Sequence, residues 1–238
     1  VTARTLGNRE FYGAGPWAAF NSPWGSDGVD FDNLTNIDTA TFPNGTVLNW
    51  QYPRAARPNG QPYGYDFVTH GQYDNGLPGL PVGSIKLANA KAITLDYALS
   101  YWNQLSQWNG LGETYFRDTA GNKKLEVGFF THVPAATANW IATDNRNPKR
   151  SLGIYTDPKG VKWTAVLQDG GSSPYVTLSP PDGRDRPAGA IDFLAAARWL
   201  QGKGVVDPAW YYSGLALGAE PLSGGGWLRI TSMSVDAR

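Results

Sequence analysis

The stretch 92–102 constrains the fold most. It reads Ala-Ile-Thr-Leu-Asp-Tyr-Ala-Leu-Ser-Tyr-Trp, so Ile93, Leu95, Tyr97, Leu99 and Tyr101 share one face at period two. Thr94, Asp96, Ala98, Ser100 and Trp102 share the other. That is the pattern of a half-buried strand, and a helix would scatter both sets around its axis. Residues 124–133 repeat it, with Leu125, Val127 and Phe129 on one side and Glu126, Gly128, Phe130 and His132 on the other. Shorter strands are predicted at 17–20, 29–34, 37–42 and 47–52. Residues 161–168 are expected to pair with 175–178 across Gly170-Gly171, and 211–220 with 227–235 across the Gly224-Gly225-Gly226 turn. With 29 Gly and 17 Pro to turn the chain, the reading is an all-β sandwich of two antiparallel sheets. One amphipathic helix is predicted over 188–204, opened near Asp192 and stopped by Gly202 and Gly204. Residues 53–80 read as a long loop.

The 238 residues suit one all-β domain, 1–238. Cysteine is absent, which excludes disulfides and thiol chemistry. Twenty basic and twenty acidic residues balance, with no basic tract of the kind that tracks nucleic acid or an anionic membrane. No run approaches the roughly 20 apolar residues of a membrane span. The chain opens at Val1, as a processed product would. Aromatics are the compositional signal: 10 Trp, 12 Tyr and 9 Phe exceed what one core needs, and flat exposed rings stack on the apolar faces of sugars.

In this setting the carboxylates matter. Glu126 sits inside an apolar strand, and burying an unpaired charge is costly. Glu220 ends a face of small side chains, after Tyr212, Gly214, Ala216 and Gly218. Asp96 has Ala98 and Ser100 beside it. Curled into a concave sheet, three such strands would line a cleft with Glu126, Glu220 and Asp96 at its floor, a constellation suited to general acid and nucleophile work on a sugar bond. The two histidines, His70 and His132, have no metal-ligand spacing, so no metal or other cofactor is expected. Glu113 and the stretch 182–185 read as loop.

Several segments then carry a resemblance. Leu125-Glu126-Val127-Gly128-Phe129-Phe130 resembles the Glu-x-Met-x-Trp strand of glycoside hydrolase family 12, and Gly218-Ala219-Glu220-Pro221-Leu222-Ser223-Gly224 resembles that family's Gly-x-Glu-Pro-Phe-x-Gly segment. Asn21-Ser22-Pro23-Trp24-Gly25 is similar to its Asn-Asn-Leu-Trp-Gly. Asn49-Trp50-Gln51-Tyr52 is similar to its Trp-x-Trp strand, and Leu95-Asp96-Tyr97 to its Tyr-Asp strand ahead of the nucleophile. The order is the same over nearly the whole chain. Gly128 stands in place of the family's methionine and Phe130 in place of its tryptophan, and 134–158 lacks its Pro-x-Gly cord.

The resemblance implies a β-jelly-roll with the helix on the convex sheet and a concave cleft, secreted and acting on polysaccharide. It implies endo-acting, retaining hydrolysis of β-1,4-glucan (cellulose, mixed-linkage glucan or xyloglucan), with Glu126 as nucleophile, Glu220 as acid/base and Asp96 as the group that tunes the nucleophile. Trp24, Asn21, Trp50, Phe130 and His132 are the expected sugar contacts, and a monomer the expected state. A jelly-roll hydrolase of another polysaccharide and a non-catalytic carbohydrate-binding sandwich stay open. The second would not need two facing carboxylates.

Overall fold

The computed structural model describes residues 2–74, 77, 80, 83–102, 106–168 and 173–238. The expected Gly170-Gly171 turn lies outside them. The first strands are β1 (Ala3–Leu6), β2 (Phe11–Ala14), β3 (Trp17–Ser22), β4 (Asp32–Asp38), β5 (Thr46–Gln51), β6 (Tyr65–Gly71), β7 (Ile85–Lys86), β8 (Ile93–Trp102), β9 (Gln107–Arg117) and β10 (Lys123–His132). Helix α1 (Ala135–Asn145) follows. Then come β11 (Ser151–Thr156), β12 (Lys162–Gln168), β13 (Tyr175–Ser179), β14 (Ala188–Asp192), helix α2 (Phe193–Gly202), β15 (Tyr211–Ser223) and β16 (Gly225–Ala237).

These strands form an all-β jelly-roll of two stacked sheets. The smaller runs β1-β4-β5-β16-β8-β14 and the larger β11-β12-β13-β10-β9-β15-β6-β3-β2, with β7 paired to β15. Pairing is antiparallel except between β10 and β13. The chain between those two strands makes α1, β11 and β12 before returning, which is the longer connection a parallel pair requires.

Between the sheets lies the main core. From the smaller sheet, Leu48, Trp50, Leu95 and Leu228 meet Leu125, Val127, Phe129 and Leu217 from the larger. A second cluster of Tyr65, Phe67, Tyr73, Leu111 and Phe130 sits on the opposite face of the larger sheet. The larger sheet is therefore apolar on both sides.

Several local outcomes differ from the expectations, and in place of strands at 29–34 and 37–42 the structure has the single strand β4. The predicted helix begins later, because 188–192 pairs with β8 as an edge strand. The Asp192 carboxylate then caps α2 by accepting the Ala195 N–H at 2.8 Å. Helix α2 covers the back of the larger sheet, with Phe193 edge-on to Phe129 and Trp199 against Tyr155. A second helix, α1, was not expected. Residues 65–71, read as loop, form β6. Finally, 211–223 and 225–237 are not a hairpin: β15 pairs with β6, β7 and β9, whereas β16 pairs with β5 and β8. The chain turns a corner from one sheet to the other at Gly224, whose φ of 70° favours glycine.

Close strand approach imposes one testable constraint. A Cβ on Gly218 would lie 2.0 Å from the Asp66 carbonyl oxygen and 2.7 Å from the Phe67 Cα, both backbone atoms. Gly218→Ala should cost about 1–3 kcal/mol of stability as overpacking. Equilibrium urea unfolding should show this as a lower midpoint at unchanged slope.

Candidate active site

A cleft of about 550 Å³ crosses the outer face of the larger sheet, and Glu126, Glu220 and a third carboxyl, Glu113, all line it. Register explains how they come together. On β10, Glu126 stands opposite Tyr115 of β9 and Gly128 opposite Glu113. On β15, Ala216 stands opposite Glu113 and Glu220 opposite Asn109. So β9 lies between the two strands that carry the expected glutamates, and its own alternating face adds Asn109, Glu113 and Tyr115 to the cleft.

Sequence reasoning missed β9 because Gly110 and Gly112 look like turn residues. They are glycines for another reason. A Cβ on Gly110 would lie 2.8 Å from the Thr131 hydroxyl and 2.9 Å from the Trp108 ring. One on Gly112 would press on Ile191 and Leu95 across the core. The signal that was present is the period-two series Asn109, Leu111, Glu113, Tyr115.

Glu113 is the most enclosed of the three, 2% exposed. Its Oε2 accepts from the Tyr73 hydroxyl and its Oε1 from the Tyr175 hydroxyl, each at 2.7 Å. Gly128 is what admits Tyr175, because a Cβ there would sit 2.3 Å from that hydroxyl and 2.9 Å from Glu113 Oε1. The missing side chain at Gly128 does not enlarge the floor. Tyr175 fills the space.

Glu126 takes a hydrogen bond from Tyr115. Glu220 Oε2 accepts from Asn109 Nδ2 at 3.1 Å, and Asn109 Oδ1 accepts from Thr137 of α1 at 2.7 Å. Trp24 is half-exposed on the cleft wall with the Arg57 guanidinium 5.9 Å from its ring, and Phe130 lies in the floor.

Burial dominates the electrostatics. It pushes Glu126 up to about 7, against the Tyr115 hydrogen bond and the positive charge of Lys123. It pushes Glu220 up to about 7 as well, against the Asn109 bond and with help from the negative charge of Glu126. Glu113 is raised well above the ordinary carboxyl range, first by burial and then by repulsion from both other glutamates. The three groups therefore titrate as one system.

Four expected site residues lie elsewhere. Asp96 is on β8 in the other sheet, exposed on its outer face opposite Ala190 and Ser234. The strand beside the Glu126 strand is β9, so Glu113 holds the place Asp96 was expected to fill. Trp50 is core, 3% exposed, tilted against Trp108, with its indole N–H donating to Ser106. Asn21 is buried between the sheets, donating to the Leu6 and Gly7 carbonyls and accepting from Thr35. His132 leaves the Glu126 face at an irregularity in pairing between Phe130 and His132. Its ring stacks on buried Trp108 at 4.3 Å and its Nδ1 meets the Asp185 carboxylate at 2.9 Å.

Fold and site together define a β-jelly-roll with an aromatic cleft and three carboxyl groups at its floor. No protein-family model and no curated protein sequence matches the chain. Solved structures do match it along its whole length. Trichoderma harzianum endoglucanase 3 of glycoside hydrolase family 12 superimposes with a TM-score of 0.78 at 13% identity, covering 99% of this chain and 98% of that one. The endo-1,4-β-glucanase CelB2 gives 0.77 at 20% identity, covering 98% and 99%. The family 12 xyloglucanase of Bacillus licheniformis gives 0.77 at 13%, covering 99% and 100%. This chain shares the fold of these enzymes.

The raised carboxyls fix the sign of a pH effect. A glutamate whose folded pKa exceeds its unfolded one binds its proton more tightly in the native state. Its contribution to stability is complete below the ordinary value of 4.5 and falls as pH rises through the folded value. Glu113→Gln should therefore raise the thermal midpoint at pH 8 by several degrees, and the difference should vanish near pH 4. Calorimetry at the two pH values checks it.

Proposed function

We propose that this protein is a retaining, endo-acting glycoside hydrolase of β-1,4-linked glucans. The observation that carries the proposal is the placement of Glu126 and Glu220 on the floor of one cleft, both pushed up to about 7. A binding module has no use for two desolvated carboxyls that weaken the fold at neutral pH, whereas a glycosidase needs one ionised and one protonated. The shared fold with family 12 endoglucanases and a xyloglucanase points to the same chemistry.

In the first step the Glu126 carboxylate attacks the anomeric carbon while Glu220 gives its proton to the departing glycosidic oxygen. The C–O bond breaks, and a covalent glycosyl ester on Glu126 remains. In the second step Glu220 takes a proton from water, the water oxygen bonds to the anomeric carbon, and Glu126 leaves as carboxylate, so configuration is retained. This requires the two carboxyls to stand roughly 5–5.5 Å apart in the working complex. Burial favours the neutral form of Glu113, against the hydrogen bonds from its two tyrosines. Held by Tyr73 and Tyr175, it positions the floor on which the nucleophile rests.

The substrate reading follows from the lining. Among the described residues, no Lys or Arg lines the cleft, and its ionisable groups are acids and tyrosines. An anionic polymer would be repelled, and an uncharged glucan is favoured. Trp24 is the platform on the non-reducing side. We place the enzyme outside the cell, where such polymers occur, acting as a monomer.

Glu126→Gln should abolish turnover while polymer binding survives. Glu220→Gln should cut hydrolysis of unactivated glucan by about 10²–10⁴-fold but slow the first step on 4-nitrophenyl glycosides much less, since that leaving group needs little protonation. Equal losses on both substrates would exclude Glu220 as the acid. Following the product anomer by NMR distinguishes retention from inversion. Trp24→Ala should raise KM on polymers and leave it nearly unchanged on short substrates that do not reach the ring.

A further inference from the structure

Asp66 carries a buried carboxyl that the proposed mechanism does not use. It lies on β6 and is 1% exposed. Its neighbours on that strand divide at period two: Tyr65 and Phe67 join the cluster on the cleft side of the larger sheet, and Val68 joins the core between the sheets. Asp66 therefore points away from the cleft, into the layer between the sheets. Its Oδ1 accepts the Ser22 N–H at 3.2 Å, whereas its Oδ2 has no partner among the described residues. An ionised carboxylate so enclosed is costly, and the neutral acid far less so. Burial accordingly pushes Asp66 up to about 8, against the Ser22 N–H and the Asn33 side chain.

Register puts this acid directly behind two parts of the cleft. Asp66 stands opposite Asn21 of β3 and Ala219 of β15, so the strand leading to Trp24 and the strand carrying Glu220 flank it. Ser22 is the last residue of β3, and the turn that bears Trp24 starts from it. The far side of that turn is fixed by the Tyr63 carbonyl, which accepts the Gly25 N–H and the Ser26 hydroxyl, each at 2.8 Å. The near side takes a bond from Asp66. From β3, β4 and β15 the acid is faced by Asn21, Asn33 and Ala219, which do not titrate. The titratable group beside it is Tyr52, whose hydroxyl accepts from Asn33 Nδ2 at 2.8 Å and is pushed up by burial and then by the charge of Asp66. Among the described residues, no basic group acts on Asp66.

We propose that Asp66 is a positioning residue for the sugar platform: through the Ser22 N–H it sets where the Trp24 ring stands on the cleft wall. As the neutral acid it accepts that N–H without placing a charge between the sheets. Above about pH 8 its proton leaves, the carboxylate has no counter-charge, and water must enter the layer to solvate it. The turn then loosens and polymer binding weakens, although no group that touches the scissile bond has changed. The inference rests on the proposed role of Trp24.

The test measures the dissociation constant for a soluble β-1,4-glucan by affinity electrophoresis, with Glu126→Gln as the background so that the polymer is not consumed. At pH 6, Asp66→Asn keeps a neutral acceptor for Ser22 and should bind within twofold of the background. Asp66→Leu removes the acceptor and should bind about fivefold more weakly. In a protein that also carries Trp24→Ala, Asp66→Leu should add nothing. At pH 9 the background should bind several-fold more weakly than its Asp66→Asn variant. Circular-dichroism melts check that each protein is folded, and if Asp66→Leu is not, the comparison at pH 9 decides alone. Unchanged binding by Asp66→Leu, the same loss with and without Trp24, or equal binding of background and Asp66→Asn at pH 9 would each overturn the positioning role and leave the hydrolase standing. A background protein that binds no β-glucan at either pH would instead overturn the proposed substrate, and the platform with it.

Discussion

The cleft is organised by the cost of desolvating carboxyl groups. Three of them share a floor built from tyrosines and phenylalanines, and the available donors are few: Tyr73 and Tyr175 for Glu113, Tyr115 for Glu126, Asn109 for Glu220. Each donor is itself held by packing. Tyr73 lies against Phe67 and Tyr115, and Asn109 is anchored by Thr137. Much of what surrounds the site follows from supplying these partners. Gly128 has no side chain so that a tyrosine hydroxyl can reach Glu113. Helix α1 sends a threonine to the asparagine that serves Glu220. The apolar cluster on the outer face of the larger sheet keeps water away from the protons that are to be held. The arrangement opposes stability at neutral pH and favours proton transfer, the usual tension at a reactive centre.

Much of this was legible from the chain, and the limits have physical causes. The alternation in 93–102 and 124–133 is strong because one face of each strand meets a single continuous core. That pattern, with the Glu-Pro segment at 220–221, was enough to anticipate the sandwich and to bring Glu126 and Glu220 to one cleft. Period two fails where registry slips: one irregularity after Phe130 moves His132 off the cleft face. It is hidden where glycines replace side chains for lack of room, as at Gly110 and Gly112, and so the strand bearing Glu113 passed for a loop. An exposed sugar platform and a core tryptophan also look alike in a sequence, and Trp50 turned out to be the latter. Asp96 has small neighbours because it stands on a solvated outer face, where no packing demand selects larger ones.

The corner at Gly224 ties the two sheets together in a way their separate roles do not suggest. Three residues after Glu220 the chain leaves the cleft sheet and becomes β16, which runs between β5 and β8 in the other sheet. Glu220 is therefore carried on one end of a continuous ribbon whose other half is clamped in the opposite layer. That rear layer acts as the fixed end of a beam. Loosening it, by heat or by a substitution near Leu228 or Ile230, would let the carboxyl drift along the cleft without altering any residue that lines it. In such a molecule the distance between Glu126 and Glu220 is set as much from behind the sheet as from within the groove.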